Sequence, residues 1–431
     1  TGAPSIPSSA KPAELLEAGA AALNSGNPRA AVPLFKRVVE LDPNHKQAWN
    51  DLGLSYLRLG QFDDAAGAFQ KQIGVNPYDQ HAYDYLGIAL EQQQKFGPAE
   101  DAFHKQLGVN PLDPLAHTAL GTLYLEQHEY AAAVPELEKA VILAPDNAGL
   151  QVSLGRAYLN TGEKDKALAA FNKGAEMSKT PLIWNDVAFA LADQQLDLPK
   201  ALQYAQSAAS TTSANLRNAD LAHLTLDDLS NVQSLGAIWD TMGWVYFRQG
   251  DLDRAEHYIR SAWLLNEHGE VGDHLAQIYE KRGEKDLAAQ TFVLAAASEH
   301  SIPETRGRLA TLLGVDGKDP SIDERIRQAW PGLVALRTLA AGNSGDVDGS
   351  ADFLLLLSPE GKSAKVDDVA FVSGSGKLRP LMDRLRSLDF GAVFPDDSPA
   401  KLVRRGTLTC SAKSDKCVFV LALPEDVRTL N

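Results

Sequence analysis

Glycine returns every 34 residues at Gly53, Gly87, Gly121 and Gly155, and proline keeps the same interval at Pro43, Pro77, Pro111 and Pro145. Phe35, Phe69, Phe103 and Phe171 follow the period too, with Leu137 in the one gap. A fixed period of this length means stacked supersecondary units, each too small to bury its apolar face alone. Trp49, Leu52, Gly53 and Tyr56 fall at i, i+3, i+4 and i+7, one face of a helix. Ala65, Phe69 and Gln72 continue the stripe on a second helix, which Pro77 ends. Such a stack builds a recognition surface and usually no active site.

The next units read Tyr83, Leu86, Gly87, Leu90, Ala99, Phe103; then Leu120, Gly121, Tyr124, Ala133, Leu137; then Leu154, Gly155, Tyr158, Ala167, Phe171. FQKQIGVNPYD at 69–79 and FHKQLGVNPLD at 103–113 are near duplicates. A first unit spans Leu15 to Pro43, a sixth holds Trp184, Val187, Ala188 and Leu191, a seventh Trp239, Met242, Gly243 and Tyr246, and an eighth Leu275, Ala276 and Tyr279. Together these units resemble the tetratricopeptide repeat family over residues 12–302. The resemblance implies a mostly α fold: a right-handed α-solenoid of about eight helix pairs.

The expected organisation is an arm at 1–11, repeats one to six over 12–207, an inserted loop and helix at 208–235, repeats seven and eight over 236–302, a helical cap and linker at 303–350, and a small α+β domain at 351–431. In that last segment Phe353–Leu357, Val366–Val372, Leu402–Cys410 and Cys417–Leu423 read as strands and Leu378–Leu388 as a helix. The order, with Ser358–Gly361 as the turn and Val366–Gly374 ending in SG, resembles the C-terminal domain of TonB-type energy transducers. The whole chain is similar to bacterial secreted or envelope repeat proteins with such a tail.

A net charge of −15 makes nucleic acid and anionic membrane poor partners. No apolar run approaches the roughly 20 residues of a transmembrane helix. The opening TGAPSIPSSAKP reads as a mature end left after signal-peptide removal or as a trimmed arm. Cys410 and Cys417 flank the turn SAKSDK; facing each other across a hairpin, they would close a disulfide, which points to the periplasm or the outside.

No catalytic constellation assembles. Ser373-Gly374-Ser375-Gly376-Lys377 lacks the Ser or Thr of a phosphate-binding loop, because Leu378 follows the lysine. The ten histidines make no HExxH and no His/Cys cluster with zinc spacing; His81 and His117 read as repeat-surface residues and His274 as a helix-face partner of Asp273. The expectation is therefore no enzyme, no metal and no cofactor.

In tetratricopeptide stacks the first helix of each pair lines the concave face. That resemblance assigns the groove to Asn50, Leu54, Leu57 and Arg58; Asp84, Ile88 and Gln92; Thr118, Thr122 and Leu125; Val152, Arg156 and Asn160; Asn185 and Phe189; and Asp240, Trp244, Phe247 and Arg248. Amides can bond an extended peptide backbone, and the arginines can pair with carboxylates. The leading expectation is a scaffold binding a peptide or protein segment. The second is a homo-oligomer or filament built through the arm and the stack ends, and the third is an accessory subunit of an envelope peptidase or transglutaminase-like enzyme.

Overall fold

The computed structural model describes residues 10–423 except 80, 361, 362, 392, 396 and 397, so Thr1–Ser9 and Gly361 of the expected turn lie outside the described residues. The chain divides into two compact units, residues 1–177 and 178–431.

The first unit is five helix pairs: α1 (Pro12–Asn24) with α2 (Pro28–Leu41), α3 (Ala48–Arg58) with α4 (Phe62–Val75), α5 (Ala82–Gln92) with α6 (Phe96–Val109), α7 (Pro114–Glu126) with α8 (Tyr130–Leu143), and α9 (Ala148–Asn160) with α10 (Lys164–Met177). The 34-residue glycine sets the approach of each pair. A Cβ on Gly53 would lie 2.6 Å from Phe69, one on Gly87 2.4 Å from Phe103, one on Gly121 2.6 Å from Leu137 and one on Gly155 2.7 Å from Phe171. Those four large partners are fully buried.

The two near-duplicate stretches do one job twice. The buried Gln72 amide donates to Asp79 at 2.7 Å, and Gln106 donates to Asp113 at 2.7 Å. Each aspartate in turn accepts from backbone N–H groups at the start of the next helix. The second helix of one repeat is thereby tied to the first helix of the next.

In the second unit α11 (Pro181–Asp193) pairs with α12 (Leu198–Leu216), α13 (Leu226–Gln249) with α14 (Leu252–Asn266), and α15 (Gly269–Arg282) with α16 (Lys285–Ala297). The segment read as an inserted loop and short helix mostly lengthens its neighbours: α12 runs 19 residues and α13 runs 24. Thr225 and Asp228 form a capping box that starts α13 early, and Val232 and Leu235 are buried along the extension. Three short helices follow, α17 (Pro303–Leu313), α18 (Pro320–Arg327) and α19 (Trp330–Leu336).

The C-terminal sheet is antiparallel in the order β1-β5-β4-β2-β3, from β1 (Thr338–Ala340), β2 (Gly349–Glu360), β3 (Ser363–Gly374), β4 (Leu402–Ser411) and β5 (Lys416–Leu421). Register shifts break the β2–β3 ladder at Asp352/Phe353 and at Leu356/Leu357. The helix expected over 378–388 is reduced to a 3₁₀ segment, Gly376–Leu381, and one α-turn, Met382–Leu385. Pro380 supplies no N–H there, so a continuous ladder cannot form. The Ser-Gly-Ser-Gly stretch is a strand end: Gly374 has φ +98°, and a Cβ there would meet the Ser350 carbonyl at 2.6 Å.

Cys410 and Cys417 are paired across β4 and β5 and joined by a disulfide. Replacing both with serine is expected to lower the stability of the second unit by about 2–3 kcal/mol, the loop entropy of so short a span. Urea unfolding of the full chain checks this; a midpoint unchanged from that of the oxidised protein would refute it.

Arg404 of β4 is buried, with Nη1 3.3 Å from the Leu264 carbonyl and Nη2 3.5 Å from that of Ala422. Arg337 Nε lies 3.3 Å from Glu267 just past the end of α14. Burial raises the Glu267 carboxyl above its usual range, against the opposing pull of Arg337 and Arg404. Burial also lowers Arg404 to about 10, so it keeps its charge at neutral pH.

Candidate functional site

The leading helices of the first unit lie side by side in repeat order. Their shared period stacks equivalent residues into columns. Asn50, Asp84, Thr118 and Val152 form the first column; Asp84 and Val152 are buried and the other two half-buried. One turn on, Leu54, Ile88 and Thr122 are half-buried, and Arg156 is exposed. At the helix ends Arg58, Gln92, Glu126 and Asn160 are all exposed. Leu57 is half-buried beside this column, whereas Leu125 is buried.

Several of these polar groups are already occupied. Arg58 Nη1 donates to the Leu23 carbonyl at 2.6 Å, closing the end of α1. Thr118 and Thr122 turn their hydroxyls back onto carbonyls of their own helix, at 2.7 and 3.0 Å, and Asn160 does the same to Arg156 at 2.9 Å. Arg156 differs: its guanidinium has no partner among the described residues. Asn50 Oδ1 is buried and accepts no hydrogen bond. Of the residues expected to line this face, Arg156 and Gln92 are the exposed polar groups with no partner among the described residues, fewer than the sequence suggested.

Two carboxylates on the same helices escaped the sequence reading. Glu91, half-buried in the last turn of α5, has its carboxyl pushed up first by burial and then by Glu126, the last residue of α7. Acids at helix C-termini oppose the helix dipole. That opposition was visible in the sequence. Asp84 is the most perturbed group on this face; burial first, then Asp113, pushes its carboxyl up to about 8.

In the second unit the corresponding residues form an aromatic cluster. Trp244 stacks on His274 with centroids 4.1 Å apart and on Phe247 at 4.9 Å, while Phe189 lies 6.1 Å from His274. Burial lowers the His274 pKa, but the charge and hydrogen bond of Asp240, 2.9 Å away, outweigh it and the net direction is up. Asp273 instead pairs with Arg308, so the expected His274–Asp273 pair is corrected. Arg248 donates to the Ala192 carbonyl at 3.2 Å and to that of Asp193, closing the end of α11 as Arg58 closes α1. Trp244 and Asp240 are buried, and Trp244 Nε1 and Asn185 Oδ1 make no hydrogen bond.

His117, expected at the surface, is buried between Glu136 at 2.5 Å and the Pro111 carbonyl at 3.1 Å. His81 is exposed, but its ring, Asp84 and Asp113 bring ligand atoms within 4.8 Å of one another. Among the described residues no helix is long and apolar enough to cross a membrane.

The family profile described as "Tetratricopeptide repeat" matches residues 16–79, 85–148 and 118–181. Among solved structures, the crystal structure of MamA protein is similar at 26% identity, over 38% of this chain and 91% of that one, with TM-score 0.36. YrrB, described as a TPR protein with an unusual peptide-binding site, is similar at 19% identity over 41% and 91%, with TM-score 0.36. The Cut9–Hcn1 hetero-tetramer of the APC/C matches at 16% over 70% and 55%, with TM-score 0.47. No curated protein matches the sequence. The tetratricopeptide repeat is recognised directly over residues 16–79 and 85–181 of this chain.

Proposed function

We propose that the chain is a non-enzymatic scaffold whose first unit binds an extended peptide or protein segment along its leading helices. The observation that carries this reading is the arrangement of Glu91, Glu126 and Arg156 at or near the C-terminal ends of three successive leading helices. A basic side chain in the bound segment would meet Glu91 and Glu126, and an acidic one would meet Arg156. The exposed Gln92 amide would bond its backbone. The disulfide supports placing the chain in an oxidising compartment, periplasmic or extracellular, and the TonB-like reading of the C-terminal domain belongs to the same proposal.

The test is an array of extended peptides varied at basic and acidic positions. Those bearing both charges are expected to bind, and Glu91→Gln with Glu126→Gln is expected to weaken them about tenfold, the worth of one charge-assisted hydrogen bond. Lys105→Glu, exposed on a trailing helix, should leave affinity unchanged. Equal losses in both variants, or no binding peptide in the array, would sink the idea.

A second reading, self-assembly, is favoured by Tyr78 and Leu112. They occupy equivalent inter-repeat turns and are 80% and 70% exposed. Native mass spectrometry separates the two: whole-number multiples without adducts favour assembly, and a monomer carrying mass of peptide size favours the groove.

A further inference from the structure

The junction between α5 and α7 holds a group that the repeat does not explain. Asp84 is fully buried, and neither carboxylate oxygen accepts a hydrogen bond. In the equivalent positions of the neighbouring repeats the chain carries Asn50, Thr118 and Val152, none of them ionisable. An orphaned carboxylate in that position costs stability unless a proton or a cation sits against it.

Its surroundings supply the other ligands of a cation. His81, one turn before Asp84 on the same helix face, brings Nδ1 to 3.8 Å from Asp84 Oδ2. Asp113 reaches the same point from the turn before α7, and the ligand atoms of all three residues lie within 4.8 Å of one another. Asp113 is held rigidly. Oδ1 accepts from the Leu115 and Ala116 N–H groups at 3.0 and 3.4 Å, and Oδ2 from Gln106 and Asn110 at 2.7 and 3.4 Å. These donors orient and support a ligating carboxylate as outer partners do in metal sites. His81 is about half exposed, so its ring is free to swing inward and solvent has access to a fourth position.

We propose that His81, Asp84 and Asp113 form a binding site for a divalent first-row transition cation of the zinc type. One imidazole and two carboxylates match that class, whereas Mg²⁺ and Ca²⁺ take oxygen ligands almost alone. Tetrahedral Zn²⁺ with bonds of about 2.0–2.2 Å holds its donors roughly 3.4 Å apart. The present separations close to that value by a movement of roughly 1 Å, which the exposed imidazole can supply.

The full chain, stripped with EDTA, is titrated with Zn²⁺ against a chromophoric chelator and with Co²⁺ by absorption spectroscopy. Wild type is expected to bind one equivalent. His81→Ala and Asp84→Asn are each expected to weaken binding by at least about 100-fold. Asp84→Asn is the decisive variant because its amide can donate to Asp113, which preserves the fold; unchanged circular dichroism checks that it does. Absence of stoichiometric binding to wild type, full binding by Asp84→Asn, or preference for Ca²⁺ or Mg²⁺ over Zn²⁺ would each overturn the assignment.

Discussion

Phe103→Ala is expected to lower the unfolding free energy of the first unit by about 3–5 kcal/mol, the range for deleting a fully buried aromatic side chain. The space it leaves cannot refill, because the face of α5 opposite is Gly87, which has no side chain to move into it. Phe103→Leu provides the internal comparison. Leu137 fills the same position against Gly121 in the following repeat, so leucine is already an accepted occupant. That variant should cost about 1 kcal/mol. Because each repeat contacts its neighbours chiefly, the loss should spread to the adjoining pairs. Hydrogen exchange across residues 48–126 of the full chain, with Trp49 fluorescence in urea, measures it. A loss below about 1 kcal/mol for Phe103→Ala would mean that the glycine–aromatic contact does not set the approach of the helices.

Glu267→Ala is expected to destabilise the second unit by about 3 kcal/mol, by leaving Arg337 and Arg404 with no opposing carboxylate in a buried setting. The lower end of the usual 3–5 kcal/mol range is appropriate. Burial already holds the Glu267 carboxyl above its normal range, so removing its charge also relieves a desolvation cost. Adding Arg404→Met should recover part of the loss, since an apolar side chain in that buried position needs no counter-charge. Urea unfolding of the full chain followed by fluorescence reads both variants; five of the six tryptophans lie in the second unit. Equal stability of the single and double variants would show that the two arginines do not depend on Glu267.

The helix pairs of the first unit were legible because each repeat encodes one contact, glycine against a large apolar residue, at constant spacing. The C-terminal strands were legible as apolar runs between turns. Strand β1 was not, since three residues, Thr338–Ala340, carry no pattern and owe their pairing to β5. The extension of α12 and α13 was hidden by a Ser/Thr/Asn-rich stretch whose helix propensity is weak; buried Leu216, Val232 and Leu235 override it. At the candidate site, a face assignment names which residues point inward but not which are occupied. Arg58 and Arg248 close preceding helices, a role that depends on contacts 35 and 56 residues away. Glu91 and Glu126 carried a local signal, an acid where a helix favours a base. The junction of His81 and Asp84 with Asp113 spans two repeats and no spacing rule describes it.

The sheet ends on β3, a long strand with one side of its ladder unpaired among the described residues. Such an edge is a template for strand addition between molecules. Two interruptions in the β2–β3 register bend it, and Asp367 and Asp368 at its middle are ion-paired with Lys365, Lys401 and Arg386. Arg386 further occupies the Asp367 carbonyl at 3.0 Å. A second copy pairing along this edge would first have to displace Arg386 from that carbonyl and from Asp368, a cost that disfavours edge-to-edge strand addition.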